Sequence, residues 1–140
     1  MIVLFVLWMI VIFIGTCTAN VDALLYHGEI HFNFTSRPDW SHIYLMYPVQ
    51  EVSRFEFSGH FVMFFIFAWL LIGLGVNKGQ VLLTGLLYAI LTEFVQLFFG
   101  RGADIYDVLA DLTGISVALF MLWMQEWGKR LEAGNERKVG

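Results

Sequence analysis

Four uninterrupted apolar stretches, residues 2–19, 57–76, 80–99 and 105–127, leave this chain very few folds. Each is close to the roughly 20 residues an α-helix needs to cross about 30 Å of hydrocarbon. Lipid offers the backbone no water to bond, so each segment must satisfy its own N–H and C=O groups, which selects helices. The runs are continuous rather than alternating, which agrees with helices. The expected fold is all-α and polytopic. One membrane domain over residues 1–128 holds four transmembrane helices, with a long outer loop between helices 1 and 2, and residues 129–140 form a polar tail. Composition points the same way. The chain is 59% hydrophobic and only 14% charged, whereas a soluble domain carries about a quarter charged residues.

The links set the order of the spans. Asn77-Lys78-Gly79 predicts a tight turn, and Gly100-Arg101-Gly102 another, so the last three spans run antiparallel in sequence. Between the first two spans, residues 29–34 alternate polar and apolar and residues 42–47 are rich in aromatic side chains. Ser36-Arg37-Pro38-Asp39 lies between them, so a short hairpin on the membrane surface is expected. Basic residues near the span ends orient the whole. Lys78, Lys129, Arg130, Arg137 and Lys138 fall on the side of the termini, and Arg37, Arg54 and Arg101 on the other. Both termini are therefore expected in the cytoplasm. No basic cluster suited to nucleic acid exists.

Against this apolar background stand residues that are expensive in lipid. Glu93 and Gln96 sit near the end of the third span, and Asp107 and Asp111 near the start of the fourth. A charge at mid-bilayer costs about 2.5–3.5 kcal/mol on insertion scales. Alternating span direction brings them to one depth. Glu93 and Asp111 both lie roughly 9 Å below the outer surface at about 1.5 Å per residue. His60, with Glu56 one turn before it, enters the second span from the same side. Asp104 lies just above Asp107, and Arg101 occupies the turn. These eight residues, Glu56, His60, Glu93, Gln96, Arg101, Asp104, Asp107 and Asp111, are the candidate ligand-binding set, in a pocket open to the outside. The alternative is a clamp in which the same groups only tie helices together, at about 0.6–2 kcal/mol per hydrogen bond. Asp104 and Asp107 also suit simple compensation of a helix N-terminus.

The remaining features carry less. Ala110, Gly114 and Ala118 form a small-residue stripe that permits close helix contact. Trp40, Trp123 and Trp127 are expected as interface anchors. His27, His31 and His42 lack the fixed spacing of a metal motif. No resident metal or cofactor is expected, although the carboxylates could hold a divalent cation through oxygen ligands. Cys17 is the only cysteine, so no internal disulfide can form. Ile14-Gly15-Thr16-Cys17 fits a lipoprotein box poorly, and an uncleaved first span is expected.

Glu93 and Gln96 as E-x-x-Q, then Gly100-Arg101, then the acidic run Asp104, Asp107 and Asp111, then Gly114, resemble the signature of VanZ-like membrane proteins. Upstream, Glu56-Phe57-Ser58-Gly59-His60-Phe61 resembles that family's D-K-x-x-H-F. Two positions depart from the pattern. Phe57 stands in place of the usual Lys, and Asp111 in place of the usual Asn, so this pocket is more acidic. The resemblance implies a bacterial inner-membrane protein acting on or near cell-envelope components, the namesake being linked to teicoplanin resistance.

Three functions are compatible with these residues. In the first, the pocket binds or modulates an envelope lipid, a lipid-linked cell-wall precursor or a glycopeptide, with Arg101 contacting anionic groups. In the second, a small membrane enzyme uses Glu93 and His60 as an acid–base pair on a lipid-linked substrate. No nucleophile elbow or zinc motif supports it, so a binding role is preferred. In the third, an ion pathway, an oligomer would have to supply the inner half, because the deep polar residues lie in one leaflet. The lipid bilayer is the expected partner on every reading.

Overall fold

The computed structural model describes residues 1–139, and Gly140 of the expected polar tail lies outside them. So do the side chains of Arg137 and Lys138, two of the charges used for orientation. The fold is 75% helical. Helix α1 spans Ile2–Cys17, α2 Val21–His27, α3 Arg54–Gly73, α4 Lys78–Gln96 and α5 Ile105–Val139. Two short strands, β1 (Ile43–Tyr44) and β2 (Ala103–Asp104), and three 3-10 turns complete the described residues. Three helical segments are long and apolar enough to cross a membrane: Arg54–Gly73, Lys78–Phe99 and Ile105–Ala133. The fourth apolar helix, Ile2–Cys17, is shorter.

Local chemistry explains the boundaries. Ser53 caps α3, its hydroxyl accepting from the Glu56 N–H, so this helix starts three residues ahead of its apolar run. The α3–α4 turn is made by Gly75, at φ +80, and not by Gly79. Asn77 instead caps α4 by accepting from the Gln80 N–H at 2.9 Å. At the other end of α4, a 3-10 turn over Leu97–Phe99 leads to Gly100 at φ +71, and the Arg101 N–H closes back on the Gln96 carbonyl.

The expected surface hairpin does not form. The polar–apolar alternation of residues 29–34 is real, but its apolar side packs on helix ends instead of a partner strand. Phe32 meets Phe99 at 5.4 Å between ring centroids, Phe13 meets Phe99 at 5.5 Å, and Phe34 meets Phe99 at 5.7 Å. The Thr35 N–H donates to the Phe98 carbonyl. Strand β1 pairs in parallel with β2, Ile43 opposite Ala103 and Tyr44 opposite Asp104, so the long connection is tied to the α4–α5 turn. The Tyr44 ring covers Gly102, where a Cβ would stand 2.6 Å from it.

The centre of the bundle is apolar and aromatic. Ile12, Phe64, Phe67, Ala68, Leu71, Val81, Ala89, Ile115 and Ala118 are buried together. Phe67 stacks on Tyr88 at 5.2 Å, and the Tyr88 hydroxyl donates to the Met9 carbonyl. The Trp8 indole N–H donates to the Met63 carbonyl at 2.9 Å. Both aromatic tips thus find acceptors on a neighbouring helix. The small-residue stripe lies on α5 against α3. Ala110 and Ala118 are fully buried, and a Cβ on Gly114 would stand 2.3 Å from the Phe61 carbonyl oxygen. Outward-facing positions are apolar: Ile2, Leu7, Leu83, Leu87 and Phe120 are all more than half exposed. Polar groups inside and aliphatic groups outside is the arrangement lipid demands.

Candidate functional site

Helices α3, α4 and α5 and strand β2 deliver the acidic residues to one buried cluster. His60 comes from the second turn of α3, Glu93 and Gln96 from the last turns of α4, and Asp107 and Asp111 from the first two turns of α5. All five are buried, with Asp111 at 0% exposure and Gln96 at 1%. His60 Nδ1 lies 3.1 Å from Asp111 Oδ1, and its Nε2 lies 3.6 Å from Asp107 Oδ2. A carboxylate only accepts, so Nδ1–H donates to Asp111.

Glu93 is held from two sides. Gln96 Nε2 donates to its Oε1 at 2.7 Å, and the backbone N–H of Asp104 donates to its Oε2 at 2.7 Å. The i, i+3 spacing of Glu93 and Gln96 on α4 makes the first bond possible. The second arises because β2 begins beside the end of α4. The alternative, enzymatic reading pairs His60 with Glu93 as acid and base. In the structure the imidazole bonds to Asp111, and Glu93 accepts from Gln96 and from the Asp104 N–H. Ligand atoms of His60, Glu93 and Asp107 nonetheless lie within 4.8 Å of one another.

Arg101 stands at the mouth of the site. Its Nη2 donates to Glu56 Oε1 at 2.8 Å and its Nη1 to the Thr18 carbonyl at 3.2 Å. The guanidinium is therefore engaged by Glu56 and by the end of α1 rather than by the buried carboxylates. Asp104 does two local jobs. Its Oδ1 accepts from the Tyr106 N–H at 2.8 Å, opening α5 as an N-cap does, and its Oδ2 accepts from the Tyr47 hydroxyl. The Tyr106 hydroxyl returns to the Tyr47 carbonyl at 2.8 Å. Burial, followed by the Asp104 carboxylate, pushes the Tyr47 phenol above its ordinary pKa.

Sequence reasoning missed Tyr47, Tyr106 and Thr18. Tyr106 lies inside the acidic run and could have been noticed there. Tyr47 is 57 residues from its partner, and no local spacing marks it. The loop histidines gather no common centre: His31 faces Glu29 and His42 faces Asp39. Trp40 packs on Phe94 and Phe98.

Beside the cluster runs a groove of about 780 Å³ between α1, α2 and α3. Its walls include Val11, Ile14, Leu24, Leu25, Val62 and Met63, and its polar end is formed by Glu56, Ser58, His60 and Arg101. At the opposite end of the bundle, Lys78 of α4 pairs with Glu126 of α5 at 2.5 Å, a partner the sequence did not suggest.

The uncharacterized membrane protein YwnJ of Bacillus subtilis (strain 168) is 28% identical over 113 residues, covering 79% of this chain and 81% of that protein. No solved structure matches. The VanZ/LLP1 family profile matches residues 1–126, which takes in every residue of the buried cluster, its mouth and the groove. The chain belongs to the VanZ/LLP1 family.

Proposed function

We propose that this membrane protein spans the bacterial cytoplasmic membrane four times, with both termini in the cytoplasm, and that its outward-facing pocket binds an anionic envelope amphiphile. The amphiphile is a membrane phospholipid or a lipid-linked cell-wall precursor. The observation that carries this is the groove: an apolar trough of about 780 Å³ ending at Glu56, His60 and Arg101. An acyl or prenyl chain fits the trough, and a phosphate would reach the planar fork of Arg101 by displacing its bond to Glu56. Helix α1 is counted as a span because it carries no charge and shows lipid-like exposure along its length, although its 16 residues reach only about 24 Å. A short helix is accommodated by local thinning of the bilayer at a small cost. Changed susceptibility to teicoplanin-type glycopeptides would follow from altered handling of that amphiphile.

Gly59 offers a direct test. It lines the groove, and a Cβ there meets nothing within 4 Å. Gly59→Leu sets its Cβ in open space and adds bulk to the trough wall, and it replaces a poor helix former with a good one. Native mass spectrometry of the purified chain, offered phosphatidylglycerol, phosphatidylethanolamine or an undecaprenyl-linked sugar, reads the outcome. Wild type should retain one anionic amphiphile and Gly59→Leu should lose it with helix content unchanged. A wild type that retains none, or a Leu variant that retains as much, defeats the proposal.

A catalytic role for the same pocket draws on one observation: Asp111 holds His60 so that Nε2 is free of a hydrogen bond. That is the posture of an oriented base. Glu93→Gln and His60→Gln decide it, since full function of either variant in an envelope assay removes that residue as acid or base.

A further inference from the structure

We propose that His60, Glu93 and Asp107 are the ligands of one divalent cation of the zinc or manganese class, bound inside the helix bundle. Each contributes one donor atom, and these atoms lie within 4.8 Å of one another. Donors in a tetrahedral set around an ion held at about 2.0–2.2 Å stand roughly 3.3–3.6 Å apart, so an inward rotation of the side chains closes the site.

The surroundings of each donor are those of a metal ligand. A metal-bound imidazole characteristically gives its other ring N–H to a carboxylate, which sets the tautomer and aims the lone pair. His60 does this: Nδ1–H goes to Asp111 and Nε2 faces Asp107. Glu93 is fixed by Gln96 and by the Asp104 N–H, so its carboxylate is oriented from outside the cluster.

Charge points to a cationic occupant, and two unmet oxygens lie on the side chains that hold its ligands. Three carboxylates, Glu93, Asp107 and Asp111, are buried beside a single imidazole, while Arg101 is engaged by Glu56. Buried charge requires a partner of opposite sign. Among the described residues, Asp111 Oδ2 and Gln96 Oε1 are buried with no hydrogen-bond partner, and both side chains are at most 1% exposed. One is bonded to His60 and the other to Glu93, so both unmet oxygens belong to side chains that buttress the proposed ligands.

The donor set selects the ion. One imidazole with two carboxylates suits Zn²⁺ or Mn²⁺. Ca²⁺ asks for six to eight oxygens and Mg²⁺ for an octahedral set with retained waters, and three ligands including nitrogen serve neither well. Of the three ligands only His60 lines the amphiphile groove, so the ion and the amphiphile occupy separate volumes that meet at the imidazole.

The test uses the purified full-length chain in detergent without added lipid, so it can fail independently of amphiphile binding. After stripping with a chelator, the chain is dialysed against micromolar Zn²⁺ or Mn²⁺ and analysed for bound metal. One ion per chain is expected. His60→Gln and Glu93→Gln should each lose it, and Asp111→Asn should weaken it by about 10–100-fold, the usual cost of losing an orienting carboxylate. With Mn²⁺, pulsed electron paramagnetic resonance should show coupling to one imidazole nitrogen, a readout that requires only the wild type. Failure of the wild type to retain a stoichiometric ion overturns the proposal. So does retention by His60→Gln, or a bound Mn²⁺ without nitrogen coupling.

Discussion

His60 on α3 and Asp111 on α5 are joined by a hydrogen bond of 3.1 Å with both side chains buried. The bond lies one helical step from the place where Gly114 lets the α5 backbone meet that of α3 at Phe61. A polar tie and a close backbone contact therefore act on the same pair of helices at the same level. The site cannot be built without the packing that holds it.

Asp111→Ala should destabilise the chain by about 1–3 kcal/mol, because the imidazole is left without its acceptor in a place water does not reach. Asp111→Asn keeps an acceptor oxygen and should stay within about 0.5 kcal/mol of wild type. Denaturant unfolding in mild detergent, followed by tryptophan fluorescence, separates the two. Equal losses for Ala and Asn would mean that the charge, rather than the acceptor, does the work.

Gly114→Ala and Gly85→Ala add the same methyl group and should behave differently. At Gly114 the new Cβ would meet the Phe61 carbonyl oxygen at 2.3 Å and the Phe65 nitrogen at 2.9 Å, and backbone cannot rotate away. At Gly85 the obstacle is the Cδ1 of Ile115, at 2.4 Å, the far end of a flexible side chain. Overpacking costs about 1–3 kcal/mol in general. The Gly114 variant belongs at or above the top of that range and the Gly85 variant near or below the bottom. Thermal unfolding of the two purified variants ranks them.

Arg101 and Glu56 form a half-open pair, with side chains 17% and 44% exposed. Solvent screening limits its direct worth, so a double-mutant cycle of Arg101→Gln and Glu56→Gln should return a coupling of about 0.5–1 kcal/mol. Arg101→Gln should also raise hydrogen exchange at residues 18–20, because the Thr18 carbonyl loses its donor. Exchange that stays at the wild-type level would show that the end of α1 is held without Arg101.

Tyr47 gives a pH signature. Its phenol is pushed upward in the folded chain, chiefly by burial and then by Asp104. A group whose folded pKa is raised contributes stability that is complete below its unfolded value, about 10, and drains away as the pH rises above it. Wild type should therefore lose stability on the alkaline side more steeply than Tyr47→Phe. At neutral pH the Phe variant should be weaker by roughly 1 kcal/mol through the lost hydrogen bond to Asp104, and the gap should narrow as the pH rises past about 10. Melting temperatures of both chains from pH 7 to 11 check the narrowing.

The apolar runs and the expensive polar residues were legible because lipid imposes one-dimensional rules. A membrane helix must be long and apolar, and any charge within it must face inward. Those rules yield the all-α fold and the helical segments to within a few residues at most ends, and they bring His60, Glu93, Gln96, Asp107 and Asp111 to one depth. Depth, however, says nothing of pairing. Which carboxylate takes the imidazole depends on the rotation of α3 against α5, and that rotation is set by Gly114 under Phe61. Likewise, the alternation at residues 29–34 is a true pattern whose partner, Phe99, lies more than 60 residues along the chain. Tyr47 reaches Asp104 only because β1 and β2 pair in parallel. The sequence by itself thus determined the solvent this protein lives in and which residues could not face it. Tertiary structure alone decided which of them touch, because contact between helices depends on packing among residues far apart in sequence, which local spacing does not encode.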